Sequence, residues 1–429
     1  MEKKKVKTII SIIYLILKYG LLIIIHIFIL RLQKKRKHIK LKKIGILLKT
    51  ACEKSGYLFL KFGQLLTTRK DLLSPIIINE LKKLQNNVQP FNWEIVEKIL
   101  QNNPKIQNAF TIFEKNPIAS GSIAQIHKAI LKNKKTVIVK ILRPHIEEDT
   151  KILFTIFIFL GKIFFLDKQI KFKYIKLLKQ LKYTFILELN FENEIRNMEK
   201  IRKNFQYENI IKIPKIYYNL SNKNFITMEY VTGIPIDNIS ELIKNGLNRK
   251  KIAIKFVEFF FKQVFRDNFF HADLHPGNIW IKKTKKENFK FILLDFGIIN
   301  IMTTQDQMYM GENILAFINK DYIKVANLHF RSGWVPKTSI TNLEKDIKKI
   351  FDKILYKPLC LVSFKKTMQN LVLLAKKYKM NYQPQLLFFQ KTLINVEGLT
   401  RELCPNFEII PIIKPIIQHW LVKTKIKNF

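Results

Sequence analysis

The chain has 429 residues, 48% of them hydrophobic and 12% aromatic, a makeup that excludes intrinsic disorder and leaves packing to govern most of the length. Lys and Arg number 76 against 33 Asp and Glu, a formal charge of +43, but Lys, Ile, Asn and Phe abound throughout, so the charge reads as a solvated basic surface rather than a patch. No zinc spacing, recognition-helix signature or basic-aromatic motif is present, which argues against nucleic acid as a partner. Cys52, Cys360 and Cys404 lie far apart with no CxxC, so neither a disulfide framework nor a cysteine metal site is expected, and a reducing cytosolic face fits best.

From Ile9 to Leu30 runs an apolar stretch bracketed by basic clusters, Lys3 to Lys7 and Arg31 to Lys37. Its length suits a bilayer, but Lys18 near its middle is costly in hydrocarbon and the two basic flanks give no orientation. A helix lying in the interface, held by anionic lipid headgroups, fits better than a spanning or a buried helix. No small-x-small cleavage site follows, which disfavours a signal peptide.

Residues from Lys43 to Lys105 read as helical, with apolar spacings of three and four at Leu58, Leu60, Leu65 and Leu66 and at Ile77, Leu81 and Leu84. After Pro117, β-branched runs at Thr136 to Leu142 and Phe225 to Tyr230 flank a long helical region from Asp149 to Phe205. After Gly233 the pattern is mainly helical, interrupted by compact apolar segments at Gly277 to Ile281 and Phe289 to Gly297. Ile409 to Leu421, broken by Pro411 and Pro415, reads as a short terminal helix. The expected organisation is a membrane-associated helix (1–40), a helical extension (41–116), a small mixed lobe (117–232) and a larger helical lobe (233–429).

The strongest chemical signal is His271-Ala272-Asp273-Leu274-His275-Pro276-Gly277-Asn278, followed by an apolar run and Asp295-Phe296-Gly297. Phosphoryl transfer needs such a set: a carboxylate to orient the attacking hydroxyl (Asp273), and Asn278 and Asp295 to hold Mg2+ against the phosphates. Upstream, Lys140 ends the apolar tetrapeptide Val137 to Lys140, where its ammonium would reach phosphate oxygens. It follows a run of small residues, Ala119, Ser120, Gly121, Ser122, Ile123, Ala124 and Gln125, suited to close approach of backbone to the nucleotide, though it lacks the GxGxxG pattern. Lys140 requires a carboxylate partner, and Glu194 is the choice; Glu188, six residues earlier, is expected on another face of the same helix, serving a second cation. Glu229 and Tyr230, closing a strand before Gly233, are placed to meet adenine through backbone groups. Lys61 and Gln64 share one helix face around Gly63, whose place in mid-helix calls for close packing or function.

Taken together, these motifs resemble the UbiB/ABC1/ADCK family of atypical kinases over Tyr57 to Leu403, including Lys61-Phe62-Gly63-Gln64, Gln263 to Asp267, Ser332 to Pro336 and Gln383 to Leu386. The resemblance implies an α+β, two-lobed protein-kinase-like fold with an all-helical N-terminal extension. It also implies ATP and Mg2+ as cofactors, a helix at Lys61 to Gln64 that blocks protein substrates, and pairing of Glu188 with Lys61 and of Glu194 with Lys140. It further implies support of ubiquinone biosynthesis at the cytosolic face of the cytoplasmic membrane, with anionic lipids, biosynthetic proteins or lipid intermediates as partners.

Two positions depart from the family pattern: Asn190 stands where an acid is usual, and Gly121 where Ala is usual. The C-terminal transmembrane pair of bacterial relatives has no counterpart before Phe429, so the Ile9 to Leu30 stretch is expected to carry membrane contact. A small-molecule kinase of the aminoglycoside or choline type, which shares the HxDLHPGN pattern, and a silent nucleotide-gated lipid-binding scaffold are the alternative functions.

Overall fold

The computed structural model describes residues 9–20, 22, 37–67, 73–84, 88–164, 166–284, 288–333, 335, 340–355, 370, 373–374, 377–378, 380 and 384–427. Cys360, Trp334, Pro336, Gln383, most of Leu21 to Leu30 and, apart from Lys37, the basic clusters on either side of the first apolar stretch therefore lie outside the described residues. The chain divides into two compact units, Met1–Ile195 with Lys215–Tyr230, and Arg196–Pro214 with Val231–Phe429.

The first unit is helical at its start: residues 9–20, then α1 (Lys37–Lys54), α2 (Tyr57–Thr67), α3 (Pro75–Leu81) and α4 (Trp93–Gln101). Ser74 caps α3, its Oγ accepting the Ile77 N–H, and Pro75 takes the first helical position, where its missing donor costs nothing. Cys52, Leu60, Ile77, Leu81 and Leu84 form the core of this bundle. Gly63 belongs to that packing: a Cβ there would lie 2.7 Å from Leu84 Cδ1 and 2.8 Å from Cys52 Sγ, so only glycine lets the helices approach. Among the described residues no helix is long and apolar enough to cross a membrane.

Strands begin earlier than the change of texture after Pro117, with β1 (Phe110–Phe113), and continue with β2 (Ala119–Ser120), β3 (Ala124–Leu131) and β4 (Thr136–Leu142). The Asp149 to Phe205 region is three helices, α5 (Ile146–Phe164), α6 (Lys168–Glu188) and α7 (Phe191–Asn204). Asp167 caps α6 by accepting the Ile170 N–H at 2.8 Å, and Asn190 caps α7 by accepting the Glu192 N–H at 2.9 Å. This corrects the single-helix expectation for the two carboxylates: Glu188 ends α6, and Glu194 lies in the first turn of α7. It also explains the Asn190 departure, since at a helix N-cap Asn serves as well as Asp.

The chain passes into the second unit within α7, at Arg196, runs there through β5 (Ile211–Lys212), and returns to the first for β6 (Phe225–Glu229). The first unit's antiparallel sheet runs β1-β3-β4-β6, with β2 on β3. Val137, Val139 and Ile141 alternate along β4 toward Val96 and Leu100 of α4, which turns Lys140 to the opposite face.

In the second unit, β7 (Ile234–Pro235), α8 (Arg249–Phe261), β8 (Phe270–His271), β9 (Ile279–Lys283), β10 (Phe289–Leu293) and β11 (Ile299–Asn300) precede a helical run. That run comprises α9 (Thr304–Ile318), α10 (Tyr322–Arg331), α11 (Ile340–Leu355), α12 (Pro384–Leu403) and α13 (Ile410–Lys427). The two apolar segments read from sequence are the β9–β10 hairpin, at the centre of a sheet ordered β5-β10-β9-β7; β8 pairs with β11. The terminal helix is longer than expected and continues through Pro415. Ile409, Ile413, Ile417 and Leu421 are all buried, and four such side chains, at about 1.5–3 kcal/mol each, outweigh the roughly 3 kcal/mol cost of an internal proline.

Candidate active site

In the first unit the two predicted ion pairs are formed. Lys140 Nζ donates to both oxygens of Glu194, at 2.8 and 2.9 Å, with the side chains only 10% and 4% exposed, and rests 5.2 Å from the centroid of the Phe191 ring. The β4 register fixes the ammonium, with Lys140 opposite Ile126 on one side and Ile226 on the other. Lys61, on α2, meets Glu188 at the end of α6. Gln64 lies one turn on in α2, and its carbonyl accepts the Thr67 hydroxyl at 2.6 Å.

The small-residue run is a hairpin. Ala119 and Ser120 lie in β2, Gly121, Ser122 and Ile123 make the turn, and Ala124 and Gln125 begin β3; the Gly121 N–H closes the turn onto the Ala124 carbonyl at 2.8 Å. Arg143, absent from the sequence reading, braces it. Its guanidinium donates to the Gly121 carbonyl (3.0 and 3.1 Å), to Ser120 Oγ (3.1 Å) and to the Gln89 carbonyl (2.8 Å), and it stacks on the Tyr57 and Phe91 rings. The Gln125 Oε1 accepts the Phe91 N–H at 3.0 Å, tying the hairpin to the segment before α4. Glu229 closes β6 with its N–H on the Lys215 carbonyl, and the Tyr230 N–H reaches the Thr136 carbonyl at 3.3 Å.

Asp273, Asn278 and Asp295 belong to the second unit, and His271 joins their loops. The buried ring accepts the Asp273 N–H at Nδ1 (3.0 Å), so the proton sits on Nε2, which donates to the Asp295 carbonyl at 2.7 Å. Burial lowers the His271 pKa, outweighing the upward pull of the Asp295 carbonyl and the two nearby carboxylates, and the ring is neutral. The Leu294 N–H donates to the Asn278 carbonyl at 3.1 Å, which holds Asn278 beside the strand end that presents Asp295. Asp295 Oδ1 accepts the Gly297 N–H at 2.8 Å. The Asp295 carboxylate and the Asn278 amide oxygen would offer the sparse, hard oxygen donors that suit Mg2+, with phosphate and water supplying the other ligands.

A second group that sequence reasoning missed is Lys391. From α12 its Nζ donates to Asp273 Oδ1 at 2.8 Å, and the neighbouring Thr392 hydroxyl donates to the Ala272 carbonyl at 3.0 Å. Burial pushes the Asp273 carboxyl up, but the Lys391 charge and hydrogen bond outweigh it and carry it below the usual carboxylate range. The available signal was a lone Lys inside the apolar run Leu386 to Val396. From the other side, Gln263 Oε1 accepts the His271 N–H at 3.1 Å from within a π-helical turn, Lys262–Arg266. Two carbonyls of that turn, Val264 and Phe265, are taken by Gln307 Nε2 of α9 at 2.7 and 3.1 Å, which stabilises a geometry otherwise rare in helices.

Comparison with known proteins gives the family and the fold. Residues 83–329 match the ABC1 atypical kinase-like domain and residues 347–408, which include Lys391, match the UbiB helical domain. The chain is 37% identical over 398 residues to a probable protein kinase UbiB of Histophilus somni, covering 90% of this chain and 73% of that protein. It is 37% identical over 388 residues to the probable protein kinase UbiB of Photobacterium profundum, covering 89% and 71%. Among solved structures, that of Rv3197 with erythromycin from Mycobacterium tuberculosis superposes with a TM-score of 0.52 at 18% identity, covering 84% of this chain and 92% of that one, a likeness of fold.

Proposed function

Because the chain belongs to the ABC1 atypical kinase-like family and carries its UbiB helical domain, we propose that it binds ATP with Mg2+ and acts as an atypical phosphotransferase or ATPase that supports ubiquinone biosynthesis at a membrane. Lys140, steered by Glu194, anchors the phosphates; the backbone of Ala119 to Gln125 covers them; Glu229 and Tyr230 flank the adenine. Asn278 and Asp295 hold Mg2+, which neutralises charge on the phosphates when bound. Asp273 accepts the proton of the attacking hydroxyl or water. Lys61 and Gln64, on the α2 helix secured by Glu188, exclude a protein acceptor.

The observation that supports this reading best is the state of Asp273. A general base must be ionised and aimed, and the Lys391 ammonium lowers its pKa while His271 fixes its backbone. The test is ATP hydrolysis by the purified protein, with and without vesicles of phosphatidylcholine and phosphatidylglycerol, beside Asp273→Asn. The expected result is lipid-stimulated turnover that the substitution abolishes while ATP binding persists. Nucleotide binding without turnover in both proteins would instead identify a nucleotide-gated lipid-binding scaffold, and transfer to an aminoglycoside or choline would identify a small-molecule kinase.

A further inference from the structure

The α5–α6 hairpin of the first unit is buried at one end and apolar on its outside at the other. Leu153, Phe154, Leu178, Leu181 and Phe185 are buried at its base. Further out, Gly161 brings the two helices into close contact: a Cβ there would run into the Tyr174 ring, and the Tyr174 hydroxyl reaches the Phe157 carbonyl at 3.4 Å. The hairpin is therefore tightly packed up to its tip. Beyond Gly161 the large apolar side chains face solvent: Phe164 is 74% exposed, Leu166 89% and Phe172 67%, with Phe159, Ile163 and Ile170 exposed beside them. Such a cluster at the end of a packed hairpin is far from the scattered surface apolar residues that need no explanation.

The charges around it select the occupant. From Lys162 to Lys182 there are seven lysines and one acid, Asp167, whose carboxylate is engaged in capping α6. Lys162, Lys168, Lys171 and Lys173 alternate with the apolar residues of the tip rather than standing apart from them. The core of a protein interface is depleted in lysine. A lipid surface suits this mixture, because the ammonium groups reach anionic headgroups on long stems while Phe and Leu enter the acyl boundary.

We propose that the α5–α6 tip is a membrane-docking element that inserts Phe164, Leu166 and Phe172 into the interface of an anionic bilayer. It rests on the membrane part of the proposed function and names the surface that serves it, independently of the Ile9 to Leu30 stretch.

The experiment is co-sedimentation of the full chain with vesicles of phosphatidylcholine alone or with a third phosphatidylglycerol. The wild type is expected to bind the anionic vesicles at least about tenfold more tightly than the neutral ones. The variant Phe164→Glu/Leu166→Glu/Phe172→Glu should bind them on the order of a hundredfold more weakly, with unchanged circular dichroism and thermal unfolding. In a separate Phe164→Trp protein, fluorescence of the introduced indole should shift to the blue and be quenched by brominated lipid. Undiminished binding by the triple variant, or an indole in the Phe164→Trp protein that stays in water, overturns the inference alone. Dissociation of an oligomer by the triple variant without lipid also overturns it, by assigning the tip to a protein contact. Failure of the wild type to bind either vesicle overturns both this inference and the membrane part of the proposed function, leaving phosphate chemistry to the hydrolysis assay.

Discussion

Replacing Lys140 by Met removes the ammonium from a carboxylate that is 4% exposed, and the cost follows from the geometry. At contacts of 2.8 and 2.9 Å and an effective dielectric of about 20, the attraction amounts to about 6 kcal/mol. Desolvation costs several kcal/mol for each ion, so the intact pair adds little net stability. Losing one partner is different, because the other charge stays buried: Lys140→Met should destabilise the first unit by about 3–5 kcal/mol, and Glu194→Leu by a similar amount. The double variant Lys140→Met/Glu194→Leu should lose much less than the sum, a coupling of about 3 kcal/mol or more. Urea titration read by hydrogen exchange of peptides from β4 and the first turn of α7 follows this unit separately. A loss under about 1 kcal/mol for Lys140→Met, or a double variant as unstable as the two singles added, would refute the argument.

A depressed pKa keeps Asp273 ionised to lower pH, so in Lys391→Met the acid limb of the turnover profile should move to higher pH, and Lys391→Arg should restore it. Gly63→Ala should lower stability by about 1–3 kcal/mol in calorimetry despite a helix-propensity gain of about 1 kcal/mol, because its Cβ meets Leu84 and Cys52. Gly121→Ala has room, its nearest contact being the Ala124 carbonyl at 3.6 Å, so unfolding should not change and any shift in ATP affinity measured by calorimetry reports on the hairpin itself. Burial lowers the pKa values of His127, His271 and His329, so the unfolded chain takes up protons first. Stability present above the unfolded value of about 6.5 should fall as pH drops below it, more shallowly in His329→Gln, as measured by urea unfolding across that range.

The site was legible in sequence where chemistry is concentrated in short runs. The segment from His271 to Asn278 and the Asp295-Phe296-Gly297 tripeptide declare themselves because tight turns force the functional groups to be close in sequence. The Lys140–Glu194 pair was also legible, since a Lys in a β-branched strand needs a carboxylate on a nearby helix. The break between Glu188 and Glu194 was not, because Asn190 is as good a surface residue as a cap until the α7 N–H groups are seen to point at it. Lys391 and Arg143 were hidden for a different reason. Each acts through one long side chain on groups far off in sequence, 118 residues in the case of Lys391 and Asp273, and no local period registers such a contact. The run of the last helix through Pro415 was missed because local propensity argues against it while four buried side chains, invisible to propensity, argue for it.

Adjacent residues of α12 grip adjacent residues of the 271–278 loop, Lys391 on Asp273 and Thr392 on Ala272. The segment matched as a separate helical domain is thus no detachable module. A fragment ending after α10 would retain the motifs from which kinase chemistry is proposed and yet lose the counter-charge of Asp273. The smallest piece worth expressing for enzymology must extend at least to the end of α12.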